Sequence, residues 1–388
     1  MKLAIIGAGI AGAAAAFEFA RHGVRATVFH DLTGSSGLYS GALDFTPWDQ
    51  ARHPEALVPE LLEFATQLGH WELGESSRRV ATVEGNVRPA RGGDSALLAL
   101  DQCVGKRVAV VDLERDDWDA SLLAKSFASS AWAVQTRTDF FAAPARVLRK
   151  GFERRISAYD FAALHDLPER AQALQMALRE SGVTADAWLF GPWLGIQRPL
   201  ARELSGALGV PVGETTSAPG GVAGARFEQA RDRLLSRIAD VERARLTSIE
   251  RSGSGYRLQL QGREPREFPI VLLATGGVAA GGVALERSFE RRGGTGFRLS
   301  FAAPLALELD AEVIDGISSL SGLDFAERGL GALLEVGIAT RGDGSVPDNP
   351  GIFVAGDAIA GRPRTGLLAA HSGFQAARSA LEYSRRAG

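Results

Sequence analysis

The chain has one cysteine, Cys103, in 388 residues. That excludes an internal disulfide, a Cys-x-x-Cys redox pair and a self-contained iron–sulfur cluster, which needs four thiolates. Any redox chemistry here must therefore use an organic cofactor, with electrons leaving for another molecule. A surplus of positive charge is also missing. Lys and Arg number 43 against 46 Asp and Glu, a net charge of −3, which argues against a general nucleic-acid or anionic-membrane surface. Lysine is scarce beside arginine, a bias that codon usage explains as easily as function. Long apolar runs are absent but for Leu3–Ala20, which resembles a signal peptide or span until Glu18 interrupts it. No other stretch reaches about 18 uncharged apolar residues, so no direct membrane span is expected. The reading is a soluble, cytoplasmic chain. Its 45% hydrophobic and 23% charged residues are ordinary for a globular protein. Its length suits two domains, or one domain carrying a large insertion.

What the sequence does contain is concentrated first at its beginning. Leu3-Ala4-Ile5-Ile6 reads as a buried strand. It runs into Gly7-Ala8-Gly9-Ile10-Ala11-Gly12 and then the Ala-rich stretch Ala13–His22, which reads as a helix ended by Gly23. Arg25–His30 reads as a second strand. Strand, glycine turn, helix and strand within about 30 residues form the βαβ unit that binds a dinucleotide. Gly7 permits the sharp turn, Gly9 the approach of a pyrophosphate, and Gly12 close packing of helix on strand. The phosphates would take the free N–H groups of the helix start. After the second strand, Leu32–Asp44 is rich in Gly and Ser, with Ser36, Gly37, Ser40 and Gly41. It reads either as a plain loop or as one whose N–H and hydroxyl groups touch phosphate or flavin.

Pro54–Leu68 has helical spacing, and Arg79–Arg88 reads as irregular or strand-bearing. A second α/β pattern follows. Val108–Leu113 is expected as a strand, Asp117–Ser129 as a helix capped by Asp117 or Asp119, and Ala131–Gln135 as a strand. The turn after Val108–Leu113 is Glu-Arg-Asp-Asp, which repels phosphate, so this part reads as an inserted substrate or partner domain. Helices are expected at Pro168–Ser181, Pro199–Leu208 and Ala225–Ile238, with a strand at Ala187–Phe190. Trp188 and Trp193 read as core residues or as cavity walls.

Arg245–Arg251, Tyr256–Gln261 and Glu267–Ala274 form three strand-like runs, the last ending in Ala274-Thr275-Gly276. A small meander of this kind would return a tight turn to the cofactor. Arg287, Arg291, Arg292 and Arg298 follow among glycines; they read as an anion clamp or as a solvated basic face. Finally, Gly351–Val354 delivers Gly356-Asp357 to a helix from about Gly366 to Tyr383. Asp357 suits ribityl hydroxyls, and the helix start suits negative charge on a reduced flavin. His371 is the histidine next to a flavin motif and is the expected base for a substrate hydroxyl. Arg287, Arg298 and Arg364 are the expected residues for a small anionic substrate.

Gly7-x-Gly9-x-x-Gly12, Ala274-Thr275-Gly276 and Gly356-Asp357, in that order, resemble the FAD-dependent oxidoreductases with a two-dinucleotide-binding fold. Ser36–Asp44, Gly105–Leu113 and Ala274–Arg287 carry a narrower resemblance, to the B subunits of anaerobic glycerol-3-phosphate dehydrogenases. The resemblance implies an α/β chain. Its Rossmann-like, three-layer FAD/NAD(P)-binding domain would comprise 1–45, 210–277 and 336–388, and its inserted α/β substrate or partner domain 46–209 and 278–335. It implies oxidation of sn-glycerol 3-phosphate to dihydroxyacetone phosphate, with FAD, or FMN as the alternative. It also implies a second flavoprotein subunit and an iron–sulfur subunit that passes electrons to quinone, so that any link to the inner membrane runs through a partner. The FAD families usually place an acid at the end of the second strand, where this chain has His30 followed by Asp31. The alternatives to a dehydrogenase are a flavin-bearing relay subunit and a stand-alone oxidase.

Overall fold

The computed structural model describes residues 1–31, 33–44, 58–253, 255–288, 298–302, 306–307, 313–314 and 336–387. In chain order the elements are β1 (Leu3–Ile6), α1 (Ile10–Arg21), β2 (Thr27–His30), β3 (Ala42–Leu43), α2 (Pro59–Leu68), β4 (Trp71–Ala81) and β5 (Val87–Asp94). There follow β6 (Arg107–Asp112), α3 (Ala120–Ala128), α4 (Ala131–Thr136), β7 (Asp139–Pro144), α5 (Ala158–His165), α6 (Pro168–Glu180) and β8 (Ala187–Phe190). Next come α7 (Leu200–Leu208), β9 (Val212–Glu214), α8 (Val222–Ile238), β10 (Asp240–Arg243), β11 (Leu246–Ser252) and β12 (Gly255–Leu260). The chain closes with β13 (Arg266–Phe268), β14 (Ile270–Leu273), β15 (Ala284–Ser288), β16 (Arg298–Ala302), β17 (Ala306–Leu307), β18 (Val313–Ile314), β19 (Gly337–Ile338), β20 (Ile352–Val354) and α9 (Gly366–Ala387).

The chain packs as two units: one of Met1–Ser36, Phe45–Phe64 and Arg231–Gly388, the other of Gly37–Asp44 and Ala65–Ala230. The first holds a five-stranded sheet in the order β10-β2-β1-β14-β20, with every pairing parallel. Renumbered along the chain this is order 3-2-1-4-5, the doubly wound Rossmann arrangement. Ala4, Ile6, Phe29, Val271, Leu273, Ile352 and Val354 of this sheet share a core with Leu246, Ile249, Leu258 and Phe268 of the meander β11–β13. Alternate residues of each strand point the same way, so one sheet face is committed to the meander. Helices α1 and α9 pack on each other, and Gly373 brings them so close that a Cβ there would lie 2.3 Å from the carbonyl oxygen of Ala11. Phe17, Phe64 and Phe374 close the seam, with ring centroids 5.6–6.4 Å apart. The unit is thus layered as meander, parallel sheet and helices, a Rossmann-like α/β fold.

The second unit carries a four-stranded parallel sheet, β7-β6-β8-β9, and a three-stranded antiparallel sheet, β3-β5-β4. Its core is built on Val108–Val111, Phe127, Phe140, Phe161, Trp188, Phe190 and Trp193; both tryptophans are core. Residues 210–230 belong to this unit because β9 hydrogen-bonds to β8, while β15 clusters with the first unit. Both placements differ from the boundaries expected from sequence.

Two local expectations need correction, while Arg79–Arg88 is strand-bearing as expected. Ala131–Gln135 is helix α4, not strand: the Ser130 hydroxyl accepts from Ala133 N–H, and Arg137 ends the helix in the left-handed region. The strand comes later, at β7. Glu267–Ala274 is two strands in two sheets, because Pro269 has no N–H to give and separates β13 in the meander from β14 in the parallel sheet. Arg79–Arg88 contributes to a long hairpin, β4 and β5. Elsewhere the expected strands and helices stand within a few residues of their reading. Asp119 caps α3 by accepting from Leu122 N–H, while Asp117 pairs with Arg115. Residues 54–57 of the expected Pro54–Leu68 helix lie outside the described residues.

Candidate dinucleotide site

Winding of the first unit's sheet reverses between β1 and β14, and ligands of such sheets bind outside the carboxyl ends at that point. A cavity of about 410 Å³ lies there. It is walled by Ile6–Gly9 after β1, Phe29–Asp31 after β2, Ala244–Thr247 after β10 and Ala274–Gly276 after β14, with Thr33–Ser36, Ala280, Gly281 and Gly282. Gly7 takes φ +105°, and a Cβ on it would stand 2.2 Å from the carbonyl oxygen of Ala274. A Cβ on Gly12 would stand 1.9 Å from the carbonyl oxygen of Gly7. The two turns therefore close on each other only because both positions lack a side chain. Gly9 precedes α1, whose first N–H, from Ile10, donates to the Ser36 hydroxyl at 2.9 Å. Ser36 is 8% exposed and lines the cavity.

The far end of this wall carries His30 and Asp31. Burial pushes the His30 imidazole below its ordinary value, and the charge of Arg231 adds to the effect. His30 is therefore neutral at pH 7, a hydrogen-bonding group and not a cation.

A second cluster gathers around Gly356-Asp357. Gly356 N–H donates to the Ser372 hydroxyl of α9 at 2.8 Å. The Ser35 hydroxyl donates to Asp357 at 3.4 Å, and Gly277 lies against the Asp357 backbone. Arg364 stands beside them, its Nη2 donating to the carbonyl of Val336 at 2.9 Å. Burial raises the Asp357 carboxyl above its ordinary range, against the opposing pull of Arg364 and Ser35. Ser35 and Ser36, consecutive in one 3₁₀ turn, thus reach both the α1 end of the site and Asp357.

These placements sort the expected site residues. Gly7, Ala8, Gly9, His30, Asp31, Ser36, Ala274, Thr275 and Gly276 line the cavity. Ile10, Ala11 and Gly12 form the start of α1; Gly356 packs on Ala11, Asp357 faces Ser35, and Gly366 begins α9. Gly37, Ser40 and Gly41 are built into the second unit instead. Gly37 lies against Gly224, Ser40 accepts from Ser217 N–H, and Gly41 accepts from Asp94 N–H and the Tyr39 hydroxyl. His371 lines a separate cavity of about 350 Å³ with Asp343, Gln375, Arg378 and Glu382. Asp357 is not among the residues that wall that cavity. Arg287 and Arg298 sit on adjoining strands with backbone pairings Arg287↔Leu299 and Ser288↔Arg298; their side chains, and Arg291 and Arg292 entirely, lie outside the described residues. Sequence reasoning missed Ala244–Thr247, because β10 is short, polar and recognisable only from its parallel pairing with β2. It also missed Ser35 and Ser372, single hydroxyls without a spacing signal.

Among the described residues no His, Cys, Asp or Glu group is arranged to hold a metal ion, and no helix is long and apolar enough to cross a membrane. No family model matches the chain, and no curated protein matches it. Solved structures resemble it distantly. Glycine oxidase from Geobacillus kaustophilus is 14% identical over 98% of this chain and 94% of that one, with a TM-score of 0.36. The GidA-related protein from Thermus thermophilus is 12% identical over 98% and 97%, with a TM-score of 0.33. The OxyS anhydrotetracycline hydroxylase from Streptomyces rimosus is 11% identical, with a TM-score of 0.34, and this chain spans 63% of its length. Likenesses this distant carry no argument about what the chain binds or does.

Proposed function

We propose that this chain is a flavin-dependent oxidoreductase holding FAD, with the ADP half in the cavity between β1 and β14 and the flavin half toward Asp357. One observation supports it above the others: the cavity continues from the Gly7–Gly9 turn to a wall of Phe29–Asp31 and Ala244–Thr247. A mononucleotide would use the phosphate end and leave that wall idle, whereas a dinucleotide uses both, so FAD is preferred to FMN. The start of α1, together with Ser36, suits the pyrophosphate, and His30, Asp31 and backbone take the place of the missing ribose acid. FAD, when bound, supplies two-electron acceptor chemistry; the protein binds, orients and charges its surroundings.

The particular reaction we propose is oxidation of sn-glycerol 3-phosphate, with electrons leaving through an iron–sulfur partner. The single cysteine supports a cluster in another chain. A second reading is favoured by the position of His371, which lines a cavity whose walls do not include Asp357. In that reading the chain relays electrons and leaves the chemistry to a second flavoprotein subunit. Purified protein should be yellow and release FAD on denaturation. Anaerobic bleaching of that protein by sn-glycerol 3-phosphate supports the dehydrogenase. FAD without bleaching supports the relay, and colourless protein that takes up no flavin overturns both. Under the dehydrogenase reading with His371 as base, His371→Asn should slow bleaching by about 100-fold or more, as loss of a general base does; an unchanged rate removes His371 from the mechanism.

A further inference from the structure

Arg364 lies two residues before α9, beside Asp357 and over Gly277, where a Cβ would stand 3.2 Å from its guanidinium carbon. One of its donors is used, Nη2 on the carbonyl of Val336. Its Nε–H is buried and has no acceptor among the described residues. Asp357 and Arg364 act on each other by charge alone, with no hydrogen bond between them. Buried donors are almost always satisfied, and leaving a charged one empty is costly. Asp357, close enough to affect it electrostatically, does not satisfy it. No described residue fills that place, which leaves it open to an acceptor brought by a ligand.

The neighbours indicate which acceptor. Ser35, Gly277 and Asp357 all lie in segments that carry the cofactor motifs, and the Ser35 hydroxyl is already directed at Asp357. We infer that Arg364 faces the cofactor, not the substrate: it is the fixed cation that holds negative charge on the flavin when the flavin is reduced. This rests on the FAD reading above. A cation held in a partly buried site favours the more negative redox state, so it binds reduced flavin more tightly than oxidised flavin and raises the reduction potential. Arg364 then sets the potential, a role distinct from clamping a substrate anion.

The experiment compares wild type, Arg364→Lys and Arg364→Gln, each loaded with FAD. The midpoint potential is read by equilibrium with a reference dye, and the affinity for oxidised FAD by titration. Arg364→Gln should lose about tenfold in the preference for reduced over oxidised flavin, which is about 30 mV for a two-electron couple. Arg364→Lys should recover most of that, because the charge is kept. A merely structural role would affect Lys and Gln alike and leave the potential in place. Equal potentials in all three proteins overturn the inference, as does an unchanged potential with a raised KM for sn-glycerol 3-phosphate. If Arg364→Gln does not fold, Asp357→Asn takes its place: removing the opposing charge should raise the potential, and a fall or no change overturns the inference. Wild-type protein that takes up no FAD is a different failure, that of the flavin reading itself.

Discussion

The parallel sheets of the two units share a topological feature and treat it in opposite ways. In the first unit the winding reverses at β1, between β2 and β14; in the second it reverses at β6, between β7 and β8. Each reversal offers a crevice outside the carboxyl ends of the strands. After β1 the chain continues with Gly7-Ala8-Gly9, and a cavity remains. After β6 it continues with Leu113-Glu114-Arg115, where Glu114 is forced to φ +58° and Arg115 turns inward. The Arg115 guanidinium donates to the carbonyls of Glu153 and Ile156 and lies 4.6 Å from the Phe161 ring and 5.3 Å from that of Trp193. Trp118 and Trp193 meet edge to face at 5.1 Å, and the Trp118 indole donates to Val111. His165 buttresses this plug through Nδ1 and the Trp193 carbonyl, 2.8 Å apart. Topology offers a crevice in both sheets; the side chains of one turn decide whether it stays open.

The open crevice is most sensitive at Gly12. Gly12→Val places a side chain where the carbonyl of Gly7 already stands, and should cost about 3 kcal/mol or more in stability and abolish FAD uptake. Denaturant melts and flavin titration read both effects, and normal uptake would show that the glycine turn does not shape the site.

The plugged crevice should respond to acid. Burial holds the His165 imidazole down at about 4, far below its ordinary 6.5. Between those values the unfolded chain binds a proton that the native chain does not, so stability rises with pH across that window and is lost as pH falls through it. The loss approaches about 3 kcal/mol near pH 4. His165→Phe should flatten the dependence; an unchanged slope would place it elsewhere.

Arg115→Met tests the plug itself. It strands one buried and one partly buried carbonyl and should cost about 2–3 kcal/mol, while leaving FAD affinity at the wild-type value. A large fall in affinity would refute the independence of the two crevices. The smallest expected effect is that of Ser36→Ala, which removes the acceptor of Ile10 N–H: about 1 kcal/mol in stability, with about tenfold weaker FAD binding. Unchanged affinity would mean that the hydroxyl serves α1 alone.

Much of this contrast is legible in the sequence, because it rests on local chemistry. The spacing of Gly7, Gly9 and Gly12 identifies an open turn, and Glu114-Arg115-Asp116-Asp117 identifies one that rejects phosphate. That Arg115 folds inward to fill its crevice is not legible, since four charged residues in a row suggest a solvated turn. Long-range pairing is equally hidden. β10 has no apolar pattern and owes its strand to β2 alongside it. The sites of Gly37, Ser40 and Gly41 follow from contacts with residues far along the chain, among them Ser217 and Gly224. His371 looks close to Asp357 in sequence, but on α9 it is the adjacent Ser372 that turns toward Gly356.

The most direct test of the open crevice is a calorimetric titration of flavin-free protein with FAD, FMN and ADP, run singly and in competition. FAD should bind, ADP alone should occupy the same cavity and compete with it, and FMN should bind about 100-fold more weakly, a difference of about 2.7 kcal/mol. FMN binding as tightly as FAD, or ADP failing to compete, would contradict the FAD reading.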